Sequence, residues 1–375
     1  MSAGTVFVSA GEPSGDQHAA ALIAALRRAV PGVTVEGVGG PQLAAAGTTL
    51  MARIEDLTVI GFVEVVRKLP AHVRLLRRIE RRLRAGGVDL VVLVDYPGFH
   101  MRVAAAAHRA GVPVLYYIAP QLWAWGERRV HQMARTVSRL AVILPFEETF
   151  FASRGVPTTF VGHPLMDRPP LAAREQVKLD LGLDPSRPVL GLFPGSRRQE
   201  VVRLWPAFRD AAVRVRRDWP AVQVVVAATA GAAYPEGRAG AGGIRVISGR
   251  PRECFAAADA ALCKSGTSTL EAAVAGTPLV VAYRMHPLSY LLARRLVRVP
   301  WIGMVNLVAE REVAPEFIQG AVTPAALARA VLPLLDPSSP ERAAQVEGLA
   351  EVRRRLGDPG AAARAAELAR ALLAA

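Results

Sequence analysis

The chain is poor in cysteine, lysine and aromatic residues, and each shortage narrows what it can be. Only two cysteines, Cys254 and Cys263, occur among 375 residues, in apolar, alanine-rich surroundings and without a Cys-x-x-Cys spacing. That argues against a disulfide scaffold or a cysteine zinc site and fits a reducing cytoplasm. Aromatic residues make up 6%, too few to stack on bases, and no recognition motif for nucleic acid is present. No uninterrupted apolar run reaches the ~18–20 residues of a membrane span. The N-terminus enters a strand at once, without the charged start and longer apolar run of a signal peptide. The expectation is a soluble protein, bound at most to a membrane face.

Several chemical signatures are missing too. There is no Walker loop and no G-x-G-x-x-G fingerprint, so ATPase and dehydrogenase readings lose support. No His, Asp and Cys set has metal-ligand spacing, and no Asp-x-Asp pair stands at a strand end. Neither a metal nor any other cofactor is expected.

Positive charge is abundant. Forty-six basic residues against 32 acidic ones give a formal net charge of +14, and only Lys68, Lys178 and Lys264 are lysines. Such a surface attracts anions, which here means nucleotide-linked substrates or an acidic membrane. The chain is also 51% hydrophobic, enough for a large core, and its length suggests roughly two domains.

Buried-strand patterns alternate with helical ones. Strands are expected near 6–10, 33–38, 89–94, 112–118 and 140–144 in the first half, which ends at Phe160-Val-Gly-His-Pro164. In the second half they fall near 189–193, 222–226, 244–247, 260–262 and 278–282. Gly231 to Gly243 reads as a flexible loop, and the chain after Asn306 as helical to its end. This alternation implies α/β architecture: two Rossmann-like, doubly wound domains facing across a cleft. The expected boundaries are 1–168 for the first domain and 169–345 for the second. Residues 346–375 form a C-terminal helix that packs back on the first. In such sheets ligands sit outside the carboxyl ends of the strands.

Four strand-end loops carry the candidate chemistry. Val189-Leu-Gly-Leu-Phe-Pro-Gly-Ser-Arg197 runs from a buried strand into a turn that exposes Gly195, Ser196 and Arg197 where a helix begins. Free N–H groups and the helix dipole favour an anion there, and arginine matches phosphate oxygens; a solvated basic turn is the plainer alternative. Lys264-Ser-Gly-Thr-Ser-Thr-Leu-Glu271 follows another strand. Ser265, Gly266 and Thr267 suit a pyrophosphate and Glu271 a ribose, although the same residues also make an ordinary helix start. Together the two loops favour a nucleotide-diphosphate site. In the first half Asp95 follows five apolar residues, where partial desolvation raises a carboxyl pKa and suits it to act as a base. His100 fits the same part, and a turn or cap is the plain reading of Asp95. Glu12, Ser14, Gly15 and Asp16 form a polar cluster, with Ser14 or Asp16 available to cap the following helix. Gln121 opens a loop whose tryptophans suit a sugar ring or a core equally.

The residues taken together resemble the lipid-A-disaccharide synthase family, glycosyltransferases of the GT-B architecture, over almost the whole chain. The resemblance rests on Ala10-Gly-Glu-Pro-Ser-Gly-Asp16, Gly61-Phe-Val-Glu64, Val94-Asp-Tyr-Pro-Gly-Phe99 and Pro120-Gln-Leu-Trp-Ala-Trp125. It continues through Leu144-Pro-Phe-Glu147, Phe160-Val-Gly-His163, Leu192-Phe-Pro-Gly-Ser-Arg197, Ser265-Gly-Thr267, Tyr283-Arg-Met285 and Asn306-Leu307. Tyr96-Pro-Gly-Phe99 stands where a more polar Ala-Pro-Asp-Phe type is found, and Pro120-Gln121 where Pro-Ser is common.

The resemblance implies an inverting, metal-independent transfer from UDP-2,3-diacylglucosamine to 2,3-diacylglucosamine 1-phosphate. The products would be the β-1,6-linked lipid A disaccharide 1-phosphate and UDP. It implies Asp95 as the base, Arg197 with Ser196 and Ser265–Thr267 on the leaving diphosphate, Glu271 on the ribose and Asn306 lining the cleft. Acylated substrates also imply work on the anionic cytoplasmic face of the inner membrane. The apolar-basic stretches Leu57–Arg84 and Leu288–Arg298 would lie on it, or simply pack on their own sheets. A homodimer stays open. The alternatives are another UDP-sugar enzyme of this fold, such as a peptidoglycan-precursor transferase or a UDP-N-acetylglucosamine 2-epimerase, and a non-catalytic nucleotide-binding protein of the membrane surface.

Overall fold

The computed structural model describes residues 4–54, 62–228, 243–297 and 299–375. The chain divides into two compact units, Met1–Asp167 with Leu356–Ala375, and Arg168–Arg355. Each is a parallel sheet with helices on its faces.

The first unit holds seven strands: β1 (Thr5–Ala10), β2 (Thr34–Gly39), β3 (Thr49–Arg53), β4 (Leu90–Val94), β5 (Val114–Tyr117), β6 (Arg139–Val142) and β7 (Thr158–Phe160). Their order is β3-β2-β1-β4-β5-β6-β7. The second unit holds β8 (Val189–Phe193), β9 (Gln223–Ala228), β10 (Ile244–Ser248), β11 (Ala260–Lys264), β12 (Leu279–Tyr283) and β13 (Glu316–Ile318), ordered β10-β9-β8-β11-β12-β13. In both, strand order reverses beside the first strand, between β1 and β4 and between β8 and β11. A reversal of this kind is where, in open α/β sheets, successive loops diverge and ligands bind.

The central strands read as apolar runs because both faces are covered. All five residues of β4 are buried, as are all five of β8. In β1, Phe7 enters the core on one face, while Val6, Val8 and Ala10 enter the core on the other. That second core takes Leu22, Ile23 and Leu26 from the helix Pro13–Ala29, and Ala365, Ala366 and Ala369 from the helix Ala361–Leu373. Alanine lets the two helices approach closely, which explains the alanine-rich C-terminal sequence.

The structure corrects several expectations. The boundary near the C-terminus falls at Leu356 rather than 346, because the helix Pro340–Arg355 belongs entirely to the second unit. β3, β7 and β13 are additional strands at sheet edges; their residues are partly exposed, and none shows the apolar pattern that marked the edge strand β10. β13 also interrupts the helical run expected after Asn306. The basic stretch is one helix, Phe62–Arg84, with Pro70 inside it. Its buried stripe is Leu75, Ile79 and Leu83, which join the core of their own sheet, while Arg74, Arg77, Arg78, Arg81 and Arg84 are exposed. From Pro70 to Arg84 the apolar stripe is therefore spent on the fold, and the exposed arginines are what that part of the helix offers a partner. Leu57–Gly61, Arg298 and nearly all of the expected loop Gly231–Gly243 lie outside the described residues.

Candidate active site

In the first unit the β1 and β4 ends run side by side, with Ala10 opposite Val94. The next residues of β4 turn abruptly. Asp95 has φ +53° and Tyr96 φ +51°, a left-handed conformation that costs an L-residue roughly 1–2 kcal/mol. Two in succession without glycine persist only where the surroundings hold them. The Asp95 N–H continues the ladder to the Tyr117 carbonyl at 3.1 Å. The Asp95 carbonyl accepts from His100 Nδ1 at 2.7 Å and from the Tyr116 hydroxyl at 2.7 Å. The turn throws the Tyr96 ring across Gly11, where a Cβ would stand 2.2 Å from Tyr96 Cγ, so that position requires glycine. The Tyr96 hydroxyl lies 2.9 Å from His72 Nε2.

Desolvation raises the Asp95 carboxyl pKa, opposed by the Tyr96 backbone N–H and reinforced by the negative charge of Glu12. A carboxylate made more basic at a strand end is suited to take a proton from a hydroxyl. Glu147 also feels the Asp95 charge; burial pushes its carboxyl up to about 7, against hydrogen bonds from Trp123 Nε1 at 3.0 Å and the Leu144 N–H at 3.1 Å. His100 cannot share the base role. It is fully buried, its Nδ1 proton is given to the Asp95 carbonyl, and Nε2 lies 2.9 Å from Ser9 Oγ. Burial lowers its pKa to about 4.

The Glu12–Asp16 cluster splits. Glu12 and Ser14 are exposed at the mouth of the β1 loop, and Gly15 is buried beneath. Neither Ser14 nor Asp16 caps the helix Pro13–Ala29, whose N-cap is Glu12 without a side-chain bond. Asp16 instead caps the short helix Pro41–Ala45, accepting from the Gly40, Gln42 and Leu43 N–H groups at 2.6, 2.9 and 3.3 Å. Gln121 and Trp125 are exposed, while Trp123 is tied back to Glu147.

In the second unit the β8 and β11 ends meet in the same way, Phe193 opposite Cys263. Gly195 has φ +120°, and a Cβ there would lie 2.5 Å from Glu200 Oε2. That carboxylate accepts from the Ser196 and Arg197 N–H groups at 3.1 and 3.2 Å, and its other oxygen meets Lys264 Nζ at 3.1 Å. Burial alone would push the Glu200 carboxyl up, but Lys264 and Arg197 together hold it below the usual range. The Arg197 side chain is 74% exposed and reaches back to Glu200 Oε1 at 3.5 Å. Lys264 Nζ stands 5.9 Å from the Tyr283 ring centre. Thus Gly195–Arg197 and Lys264–Thr267 are brought together, as their pairing in sequence suggested.

Ser265 Oγ donates to the Ile302 carbonyl at 2.6 Å, so its side chain is engaged, whereas Thr267 is exposed at the start of the helix Thr267–Ala275. Gly266 has φ +141°. Glu271 pairs with Arg168 at 2.8 Å. Asn306 does not present its amide to a ligand. It is fully buried, donating to the Ala314 carbonyl and Glu316 and accepting from the Val313 and Ala314 N–H groups, all at 2.8–2.9 Å. Glu316 in turn accepts from the Ile302 and Gly303 N–H groups, so Asn306 supports the Ser265 loop from behind.

Sequence reasoning gave no role to Glu200, Lys264, Glu147 or Tyr116. Glu200 had a readable signal: a glutamate three residues after the helix cap is half of a capping box. Tyr116 had none, since a tyrosine inside a strand reads as core.

Two units that are each a doubly wound, parallel α/β sheet give the chain the GT-B fold of nucleotide-sugar enzymes. Solved structures share the fold. They include a putative UDP-N-acetylglucosamine 2-epimerase from Listeria monocytogenes (TM-score 0.66, 13% identity, 97% of this chain and 95% of that one). The calicheamicin glycosyltransferase also matches (TM-score 0.62, 20% identity, 100% and 99%). The profile of the family described as lipid-A-disaccharide synthetase matches residues 6–370. The lipid-A-disaccharide synthase of Anaeromyxobacter sp. (strain K) is 42% identical over 367 residues, 96% of each chain. That of Syntrophus aciditrophicus (strain SB) is 41% identical over 379 residues, covering 100% of this chain and 99% of its own. The chain belongs to the lipid-A-disaccharide synthase family and is a glycosyltransferase of lipid A biosynthesis.

Proposed function

We propose that the enzyme transfers 2,3-diacylglucosamine from its UDP donor to the 6-hydroxyl of 2,3-diacylglucosamine 1-phosphate, giving the β-1,6-linked disaccharide 1-phosphate and UDP. The observation that carries this reading is the division of chemistry between the strand reversals. Asp95, with its raised pKa, takes the acceptor proton as the hydroxyl oxygen attacks the anomeric carbon in line with the departing diphosphate, inverting that carbon. The Ser196 and Arg197 N–H groups, the Arg197 guanidinium and the Gly266–Thr267 backbone stabilise the diphosphate as it leaves. Lys264 adds a cation beside them, and Glu271 takes the ribose. Ser14, Gly15 and Gln121 border the acceptor side.

The decisive experiment is product analysis with donor and acceptor of defined acylation, for the wild type and Asp95→Asn. The variant should bind UDP as the wild type does and lose nearly all turnover. Normal turnover would remove Asp95 as the base.

The same reading places the enzyme on the cytoplasmic face of an anionic membrane, from which both acylated substrates come. Among the described residues no helix is long and apolar enough to cross a membrane. Support for surface binding comes from the exposed arginine face of Phe62–Arg84, from exposed Leu291 beside exposed Arg294 and Arg295, and from exposed Trp125. Sedimentation with phosphatidylglycerol vesicles should fall with salt, and absence of binding at low salt would remove this part of the proposal.

A further inference from the structure

The strained turn that carries Asp95 is held by its backbone carbonyl. Three neighbouring strands contribute to that hold. Ser9 lies on β1, Asp95 directly follows β4 and Tyr116 lies on β5, while His100 comes from the helix Pro97–Arg109. Ser9, His100 and Tyr116 are each 0–1% exposed, so water cannot replace a lost partner.

The hydrogen-bond directions follow from what each atom can do. A carbonyl only accepts, so His100 Nδ1 carries the proton that reaches the Asp95 carbonyl at 2.7 Å. In the neutral ring Nε2 is then an acceptor, and Ser9 Oγ, 2.9 Å away, donates to it. Tyr116 has one hydroxyl proton and gives it to the same carbonyl at 2.7 Å. The result is a fixed chain, Ser9 to His100 to the Asp95 carbonyl, joined there by Tyr116. Burial keeps His100 neutral, which preserves this one tautomer.

If the Asp95–Tyr96 peptide rotated out of its left-handed arrangement, both bonds to the carbonyl would break. A histidine N–H and a tyrosine O–H would be left buried and unpaired. The two donors therefore latch the turn, and the turn decides where the Asp95 carboxylate points.

We propose that His100 and Tyr116 are positioning residues for the transfer reaction, acting through the Asp95 carbonyl to aim its carboxylate. The proposal rests on Asp95 being the base. Neither residue touches substrate. Their effect is on the rate of the chemical step and not on donor binding, because small displacements of a reacting group slow a reaction far more than they weaken binding.

The test uses the full-length enzyme with acylated donor and acceptor, and follows kcat, donor KM and UDP affinity. Tyr116→Phe removes one hydroxyl and keeps the ring. His100→Leu removes the donor to the carbonyl. His100→Asn restores it, since the amide nitrogen of asparagine lies as many bonds from Cα as Nδ1 does. Tyr116→Phe and His100→Leu should each lower kcat by roughly tenfold or more, with donor KM and UDP affinity within about twofold of the wild type. His100→Asn should recover most of the loss. In an Asp95→Asn background, Tyr116→Phe should cost nothing further, since there is no base left to aim. Wild-type kcat in both Tyr116→Phe and His100→Leu, beside an inactive Asp95→Asn, would overturn the positioning role alone. So would an undiminished further loss from Tyr116→Phe in the Asp95→Asn background. Normal turnover in Asp95→Asn would overturn the base assignment instead. Should His100→Leu fail to fold, Tyr116→Phe carries the test by itself.

Discussion

Glu200 meets Lys264 at 3.1 Å, and through this pair one carboxylate joins the ends of β8 and β11. The same carboxylate occupies the Ser196 and Arg197 N–H groups that a diphosphate would use. On the proposed reading, an incoming diphosphate would compete with it there and inherit Lys264 as a counter-charge. Lys264→Met should therefore weaken UDP binding by about tenfold or more, since about 1.4 kcal/mol per decade is the low end for one charge-assisted hydrogen bond. Isothermal titration with UDP measures it. Unchanged affinity would show that Lys264 serves only Glu200.

Much of this second site was legible in the sequence because its chemistry is local. Gly195-Ser196-Arg197 ends a five-residue apolar strand, and Ser265-Gly266-Thr267 opens a helix; both readings need only neighbouring residues. Two parallel sheets were legible for the same reason. What sequence could not show is contact across many residues. Asp16 caps a helix that begins at Pro41, Tyr116 bonds the Asp95 carbonyl, and Asn306 spends its amide on residues 313–316. A buried polar side chain looks the same in sequence whether it faces a ligand or its own backbone. β3, β7 and β13 were missed because these edge strands are short or partly exposed and lack the apolar pattern that made Ile244–Ile247 legible at another edge.

Asp16 is an example with a measurable consequence. Its carboxylate satisfies three N–H groups at the start of Pro41–Ala45 and is 1% exposed. Asp16→Ala leaves the Gly40 and Leu43 N–H groups buried without this acceptor, and should lower unfolding stability by about 2–4 kcal/mol. Chemical denaturation gives that figure. Assayed well below its melting temperature, the variant should keep most of its turnover. A far larger loss of activity than of folded protein would place Asp16 against substrate.

Asp167 does similar work at the other end of the first unit. Its carboxylate accepts from Gly360, Ala361 and Ala362, capping the C-terminal helix Ala361–Leu373. Arg364 adds bonds to the Val161, Asp358 and Pro359 carbonyls. Asp167→Ala should cost about 1–2 kcal/mol, the usual value of a lost cap. Amide hydrogen exchange should quicken first in residues 361–366. Exchange that quickens evenly across the unit would mean that this helix does not open on its own.

Glu147 gives the enzyme a pH-dependent stability whose sign follows from its burial. Its carboxyl is 1% exposed and its pKa is raised from 4.5 to about 7 by desolvation, despite the Trp123 and Leu144 hydrogen bonds. A carboxyl raised on folding binds its proton more tightly in the folded state than in the unfolded one. The folded state is thus favoured at low pH, and the advantage fades as pH rises from about 4.5 through about 7. The fade is on the order of 3 kcal/mol at most. Glu147→Gln cannot titrate, so it escapes this fade, although its NH2 group must face one of the two N–H donors and it starts less stable. The stability gap between wild type and Glu147→Gln should therefore narrow between pH 4.5 and 8, while contributions from other titrating groups cancel in the difference. Urea unfolding of both proteins across that range reads the gap directly. A constant gap would mean that Trp123 and Leu144 keep Glu147 ionised throughout, and that burial does not dominate its titration.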